Sequence, residues 1–214
     1  MFPEPLTIPT RAPRALWLIR HGESTWNQRG LCQGQRPGPR LTSRGRHQAD
    51  RCAERLIGEP IGLLVSSDLE RALETAAPIG RALGLVPLPD RRLRERALGA
   101  AEGEPIASLG TDRSGVAGGR VVDADAAPEG GESVRQLYDR VTACVAEHLG
   151  RGDGELALVC HGGVVRVLLA WLSGTGPEAM GWPEVPNAAP ARRIATAPAG
   201  QDQSAPDHEQ EEHR

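Results

Sequence analysis

Short apolar runs alternate along this chain with helix-length segments, and this alternation limits the folds that the chain can adopt. The apolar runs, which are the predicted strands, span residues 15–19, 61–67 and 155–160. The intervening segments carry helical periodicity and capping residues, and they span residues 42–57, 68–83 and 133–149. Strands that alternate with helices form βαβ units, so the sequence predicts an α/β fold whose mostly parallel sheet is covered by helices on both faces.

The domain organisation follows from where this periodicity starts and stops. Residues 1–14 are predicted to form a proline-rich arm, and residues 15–197 to form one domain. Residues 198–214 are acidic, contain no apolar residue larger than alanine and are expected to be disordered. Little periodicity is present between residues 91 and 131, which favours a long functional loop with a small cap at about residues 103–131.

Weaker signals place the remaining elements. Asp68 is predicted to be the N-cap of the helix over residues 68–83. A short strand is expected near residues 86–88, a helix near residues 163–174, and a last, weak strand around residues 194–197.

The composition excludes several classes of function. A net charge of −3 gives no electrostatic case for binding nucleic acid or an anionic membrane, and no apolar window is long enough to span a membrane. All 25 basic residues are arginines, so no lysine can act as a nucleophile or a phosphate clamp. The four cysteines form no C-x-x-C pair, and the first residues lack the apolar core of a signal peptide. We therefore expect a cytoplasmic protein with reduced thiols.

Two of the predicted strands end in the same way, with a histidine followed by glycine. The first ends in Arg20, His21 and Gly22, and the other is followed by His161 and Gly162. Because ligands of parallel sheets bind beyond the carboxyl ends of the strands, both histidines are expected in one crevice. Either motif alone is weak evidence for function. Together with Arg71 after a third strand, however, they provide nucleophilic imidazole and bidentate arginine groups that suit a phosphate, with no metal-binding spacing of carboxylates.

Four segments, in this order and spacing, resemble the histidine phosphatase superfamily, whose best-known branch is the cofactor-dependent phosphoglycerate mutases. They read "LIRHGESTWN", "SSDLERALETA", "LRERALGAAEG" and "VCHGGVVRVLL", and the resemblance extends from about residue 15 to residue 172. It implies a three-layer α/β/α sandwich and an enzyme that requires no metal or other cofactor.

The resemblance also implies roles for individual residues. His21 would be the nucleophile that becomes phosphohistidine, with Arg20, Arg71 and His161 around the phosphate and Glu95 as the proton donor that later activates water. The Gly22 carbonyl would hold the nucleophilic imidazole in its tautomer. The residues implied to bind substrate are Arg20, Gly22, Glu23, Ser24, Asn27, Gln33, Gly34, Arg71, Glu95, His161 and Gly162.

Within the family, three details favour hydrolysis. The stretches "CQGQ" at residues 32–35 and "HGGVVR" at residues 161–166 resemble phosphatase members. The long insertion after the acid motif that characterises the mutases is absent. The predicted function is hydrolysis of a small phosphorylated metabolite, while a mutase-type phosphoryl transferase and a protein phosphatase or regulatory binding module stay as alternatives. The resemblance leaves a homodimer open.

The cap residues suggest a hypothesis for the substrate. Residues 104–129 contain no aromatic residue, so stacking on a sugar or base is not expected to dominate recognition. Arg113 and Arg120 lie in this segment, together with Asp112, Asp123 and Asp125. The sequence thus favours a polar substrate, or one that carries a second charge.

Overall fold

A five-stranded sheet forms the centre of the computed structural model, which describes residues 14–151 and 153–195. Its strands are β1 (Arg14–Arg20), β2 (Ile61–Ser66), β3 (Leu88–Pro89), β6 (Glu155–Cys160) and β7 (Ala191–Ala195), in the order β3-β2-β6-β1-β7. The first four of these along the sheet are parallel, and β7 pairs antiparallel with β1 at the edge. The sequence-based prediction of a mostly parallel sheet is confirmed.

Helices cover both faces of the sheet. On one face lie α2 (Ser43–Leu56) and α3 (Glu70–Leu83), and on the other lie α5 (Val134–Leu149) and α6 (Gly162–Leu172). The alternation within β1 produces the two cores, because Leu16 and Leu18 pack with α5 and α6 whereas Trp17 and Ile19 pack with α2 and α3. The result is the expected three-layer α/β/α sandwich.

Most predicted boundaries agree with the structure, but the start of α3 does not. Leu69, and not Asp68, is its N-cap residue, and no side chain caps the helix. The Asp68 carboxylate instead accepts two hydrogen bonds from Arg94, at 2.7 and 2.6 Å. A charge-assisted bidentate pair to the loop after β3 has therefore replaced the local capping interaction.

The two strands at the sheet edges form at positions that differ by a few residues from the predicted ones. The strand expected at 86–88 forms at Leu88–Pro89, because backbone pairing with β2 begins only where Leu88 lies beside Val65. The strand expected at 194–197 forms at Ala191–Ala195, and residues 196 and 197 lie outside the described part of the chain. Arg192 and Arg193 interrupt the apolar residues of this edge strand, so its full length is not recognisable from an apolar pattern.

The segment predicted to be a loop and cap is made of short elements. It contains three single-turn 3₁₀ helices, the one-turn helix α4 (Thr111–Ser114) and a hairpin of β4 (Val116–Ala117) with β5 (Arg120–Val121). Val121 and Ala124 are buried against the α5–α6 core. Another one-turn helix, α1 (Thr25–Gln28), follows β1.

Other expectations concern chain ends and thiols. The predicted arm over residues 1–14 and the predicted disordered tail over residues 198–214 lie outside the described residues, apart from Arg14 at the start of β1. All four cysteines are free and buried. Across residues 14–151 and 153–195, no helix combines the length and apolarity needed to cross a bilayer.

Candidate active site

The ends of β1 and β6 bring the two histidines together. Arg20 lies beside Cys160 in the parallel ladder, and the His21 N–H continues the pairing by donating to the Cys160 carbonyl at 2.9 Å. His21 and His161 therefore leave adjacent strands at the same level. Their ring centroids are 5.2 Å apart with the planes inclined by 60°. The convergence predicted from the two His-Gly strand ends is present in the fold.

The imidazole of His21 is held in one tautomer. Its Nδ1 lies 2.7 Å from the Gly22 carbonyl oxygen, which can only accept a hydrogen bond, so Nδ1 carries the proton. Nε2 then keeps its lone pair, and no group in the described part of the chain hydrogen-bonds to it. Burial lowers the pKa of His21 well below 6.5, and the positive charges of Arg71 and Arg20 lower it further. The ring is therefore neutral at physiological pH.

Close backbone packing explains the glycine after the nucleophile candidate. A Cβ on Gly22 would lie 2.4 Å from the Gly45 carbonyl oxygen in the first turn of α2, and a Cβ on Gly45 would lie 2.0 Å from the Glu23 carbonyl oxygen. The Gly22 N–H donates to Thr75 Oγ1 at 3.0 Å. Two facing glycines thus let α2 fix the backbone that orients His21.

Two arginines from different parts of the fold flank His21. Arg20 Nη1 donates to the Val185 carbonyl at 2.6 Å, and Arg71 Nη2 donates to the Gly34 carbonyl at 2.8 Å. Arg71 is only 1% exposed, which excludes the alternative of a solvent-facing helix residue. Burial lowers the pKa of its guanidinium to about 10, and Glu95 and Glu102 oppose the shift. Arg71 is therefore charged at neutral pH.

Three buried nitrogen atoms around His21 have no hydrogen-bond partner within the described residues. They are Arg20 Nε, Arg71 Nε and His161 Nδ1. Buried donors without partners cost free energy, so their concentration at one place indicates a ligand that accepts hydrogen bonds. Two positive guanidinium groups at the same place indicate that the ligand is an anion.

The start of α6 supplies further polar groups. His161 is its N-cap residue and is fully buried, with Nε2 placed 2.8 Å from Ser67 Oγ. The Gly163 N–H is 3.1 Å from both carboxylate oxygens of Glu95. A Cβ at Gly163 would lie 2.3 Å from Glu95 Oε1, so the glycine makes room for the carboxylate. Glu95, the predicted proton donor, therefore lies at the N-terminus of α6, next to His161.

The residues predicted around the substrate separate into two groups. Asn27, Gln33, Gly34 and Gly162 line the same cavity as Arg20, His21, Arg71 and Glu95. Glu23 does not, since its carboxylate accepts from Thr42 Oγ1 at 2.8 Å and pairs with Arg44 in α2.

Ser24 also lies outside that cavity, but it contacts two residues that line it. Its hydroxyl donates to Gln33 Oε1 at 2.8 Å, and its backbone N–H donates to Asn27 Oδ1 at 3.1 Å. Ser24 thus holds the two amide side chains that reach the cavity.

Sequence reasoning missed Arg166, Trp182 and Arg96. Arg166 lines the cavity, lies 4.8 Å from the centre of the Trp182 ring and donates from Nε to the Pro183 carbonyl at 2.7 Å. Arg96 is buried and donates to three carbonyls, of Glu132, Ser114 and Ala126. Arg166 was recognisable, because it follows Gly162 by four positions and so lies on the same face of the helix. Trp182 carried no local signal.

The cavity has a volume of about 330 Å³ and extends from His21 to the cap. The cap arginines that were expected to bind substrate do not line it. Arg113 donates to Glu104 and to the Ser108 carbonyl, and Arg120 is exposed on the hairpin. The structure gives that hypothesis no support, because a neighbouring carboxylate and carbonyl already bind Arg113 and because Arg120 does not line the cavity.

One group of potential metal ligands occurs among the described residues, and it lies away from this cavity. It comprises Asp90, Cys144 and His148. The Asp90 carboxylate already accepts hydrogen bonds from Arg92 Nε and Nη2, at 3.1 and 2.7 Å. A bound guanidinium occupies the place that a cation would need, so the geometry indicates a structural ion-pair cluster.

The parallel sheet, the two histidines at its strand ends and the unpartnered donors around them define an α/β protein with a candidate site for an anion. The chain belongs to the histidine phosphatase superfamily (branch 1), whose family model matches residues 16–195. Enzymes of this kind are phosphatases or mutase-like phosphoryl transferases.

Relatives carry names from both groups. "Phosphoglycerate mutase-like protein 4" of Arabidopsis thaliana is 40% identical over 157 residues, which are 71% of this chain and 67% of that protein. "Probable phosphoglycerate mutase GpmB" of Yersinia enterocolitica is 36% identical over 172 residues, 77% of each chain. The solved structure of a mycobacterial glucosyl-3-phosphoglycerate phosphatase in complex with VO3 matches with a TM-score of 0.73 and 33% identity, over 85% of this chain and 96% of the other.

Proposed function

We propose that this protein is a phosphomonoesterase that hydrolyses a small phosphorylated metabolite through a phosphohistidine at His21. The observation that carries the proposal is the contact between His21 Nδ1 and the Gly22 carbonyl at 2.7 Å. It fixes the proton on Nδ1 and leaves Nε2 as a neutral nucleophile beside two charged arginines.

The reaction proceeds in two steps with balanced proton transfers. In the first, His21 Nε2 forms a bond to phosphorus, the bond from phosphorus to the ester oxygen breaks, and the Glu95 carboxyl group donates a proton to the leaving oxygen. In the second, the Glu95 carboxylate takes a proton from water, the water oxygen attacks phosphorus, and the bond from Nε2 to phosphorus breaks. Inorganic phosphate and the free alcohol are the products.

Arg20, Arg71 and His161 stabilise the charge on the transferring phosphoryl group. Arg20 and Arg71 line the same cavity as His21, and the His161 ring lies 5.2 Å from the His21 ring. Because Arg20 Nε, Arg71 Nε and His161 Nδ1 have no partner within the described residues, these donors are in place before the phosphate arrives. The guanidinium groups supply the positive charge that a divalent cation supplies in many other phosphoryl-transfer sites. We therefore propose that hydrolysis needs no metal ion.

The first test is phosphate release from a panel of phosphorylated metabolites in excess EDTA, by wild type and by His21→Ala. EDTA-resistant release by wild type, with trapping of an acid-labile phosphoryl group that is absent from His21→Ala, supports the proposal. Release that stops on chelation, or that survives the substitution, contradicts it. Arg44→Ala is the matched control, because Arg44 is an exposed arginine that pairs only with Glu23 outside the cavity.

A mutase-type activity is the second candidate, and the names of several relatives favour it. In that case the phosphoryl group returns from His21 to a second hydroxyl of the substrate instead of to water. Incubation with 3-phosphoglycerate separates the two, because a mutase yields 2-phosphoglycerate while free phosphate stays constant. The protein phosphatase or binding-module alternative predicts turnover or binding of phosphopeptides and none of the small metabolites.

A further inference from the structure

The cavity has two ends with different chemistry. The inner end is lined by His21, Arg20, Arg71 and Glu95. The outer end, formed mainly by the cap, is lined by the apolar side chains of Leu31, Leu98, Ile106, Leu109, Val116 and Trp182. Ile106 is 54% exposed and the other five are half-buried, so apolar surface faces the space next to the phosphate position.

Two polar residues that line the cavity beside these apolar side chains, Arg96 and Ser114, are already engaged with protein groups. Arg96 uses all three of its nitrogen atoms on carbonyls of Glu132, Ser114 and Ala126. The Ser114 hydroxyl donates to the Val116 carbonyl at 3.2 Å and accepts from the Val116 N–H at 3.1 Å. A ligand hydroxyl placed here would lose its hydrogen bonds to water and gain few in return, which disfavours a sugar or a glyceryl group.

The ring of Trp182 is fixed at the boundary between the two ends. Arg166 covers one face of the ring at 4.8 Å, and Arg166 itself is tied to the Pro183 carbonyl. The Trp182 N–H of the backbone donates to the Gly119 carbonyl at 2.6 Å, which links the ring to the cap hairpin. An ordered aromatic wall therefore stands beside the space that a leaving group occupies.

From this lining we infer that the alcohol part of the substrate is compact and mostly apolar, such as a branched alkyl or a single-ring aryl group. The inference rests on the proposed function, since it assigns the outer end of the cavity to the leaving group of a phosphomonoester. A volume of about 330 Å³ for the whole cavity limits that group to a short branched chain or a small ring system. It departs from the polar substrate that the cap sequence favoured.

Binding of phosphonates tests the pocket without any turnover, because their carbon–phosphorus bond is not hydrolysed. Isopentylphosphonate and 3,4-dihydroxybutylphosphonate have similar lengths and differ mainly in the polarity of the tail. Calorimetric titration of wild type is expected to give a dissociation constant about 10- to 100-fold lower for the isopentyl compound. Equal affinities, or tighter binding of the dihydroxy compound, would overturn the inference.

The variant Ile106→Asn tests whether the apolar lining of the cavity causes the preference for the isopentyl compound. Ile57→Asn is its control. Ile57 is likewise exposed, at 63%, but lies at the end of α2 and does not line the cavity. Ile106→Asn should raise the dissociation constant of isopentylphosphonate by about 5-fold or more. It should change the dissociation constant of the dihydroxy compound by no more than about twofold. Ile57→Asn should change neither. An identical effect of the two variants would show that Ile106 has no role in the pocket.

Turnover separates failure of this inference from failure of the proposed function. Isopentyl phosphate and glycerol 1-phosphate are both primary alkyl esters with similar leaving-group reactivity, so their kcat/KM ratio reports on the pocket. A ratio of about 10 or more for the isopentyl ester is expected. Turnover of both without preference would overturn the inference alone. Preferred binding of the phosphonate with no turnover of any ester would support the pocket and contradict the proposed hydrolysis.

Discussion

Ser67 Oγ lies 2.8 Å from His161 Nε2, and this contact favours a neutral His161 ring that carries its proton on Nδ1. The Ser67 hydroxyl also accepts from the Leu69 N–H at 3.3 Å, so its own proton is available to His161. When Ser67 donates to Nε2, the ring proton resides on Nδ1, which is buried and has no partner within the described residues. Ser67 is therefore a positioning residue for His161.

Replacing Ser67 with alanine should lower kcat about tenfold, because the hydrogen bond that selects the tautomer is worth about 1.5 kcal/mol. The ¹⁵N chemical shifts of the His161 ring give an independent measurement, since they distinguish Nδ1–H from Nε2–H. Ser66→Ala is the control: Ser66 is equally buried, but its hydroxyl donates to the Ser67 carbonyl and does not contact His161. An unchanged tautomer and kcat in Ser67→Ala would contradict this role.

Gly163→Ala should reduce activity without destabilising the fold. The added Cβ would lie 2.3 Å from Glu95 Oε1, so the carboxylate must move away from the start of α6. Alanine favours a helix over glycine by about 1 kcal/mol, and we expect the Tm to hold or rise while kcat falls about tenfold. The double variant with Glu95→Gln should be no slower than Glu95→Gln alone, because both changes act on one group. Additive losses would show that Gly163 acts elsewhere.

Acid should destabilise the fold from below about pH 6.5, the ordinary pKa of histidine. Burial lowers the pKa of both His21 and His161 well below 6.5, with Arg71 adding to the shift at each. The unfolded chain therefore binds more protons than the folded chain below that pH. Their contribution is fully present above pH 6.5 and is lost as pH falls, by about 1.4 kcal/mol per pH unit for each histidine.

Chemical denaturation between pH 7.5 and pH 5.5 measures this dependence. In His21→Leu one of the two buried groups is absent, so the slope of the free energy of unfolding against pH should be clearly shallower than in wild type. A flat profile in wild type would mean that the two rings have the same pKa in the folded and the unfolded chain, which would contradict the prediction.

Arg96, which precedes the cap, should stabilise it more than the cap's own Arg113 does. It is 4% exposed and donates to carbonyls of three different loop segments, at 2.6, 2.6 and 2.7 Å. Arg96→Met would leave these acceptors without a charged donor and should lower the free energy of unfolding by about 3 kcal/mol. Arg113→Met, which removes an exposed pair with Glu104, should have a much smaller effect. Equal losses in the two variants would show that the three carbonyl contacts add little.

The amino-acid sequence by itself determined the layers of the fold and the position of the two histidines. Strand and helix periodicity is local, so the runs that became β1, β2 and β6 were recognisable, and parallel pairing then required their carboxyl ends to meet. Edge elements such as β7 were displaced in the prediction because pairing with a neighbour, not an apolar pattern, sets their register.

What surrounds His21 in the candidate active site depends on tertiary packing. Arg166, Trp182 and the apolar cap residues come from segments far apart in sequence, and the cavity exists because the cap folds over the sheet. Arg113 is the opposite case. Its charge in the cap sequence suggested a role in binding substrate, but in the fold it pairs with Glu104. Sequence fixes which groups are available, whereas long-range packing decides which of them remain free to meet a ligand.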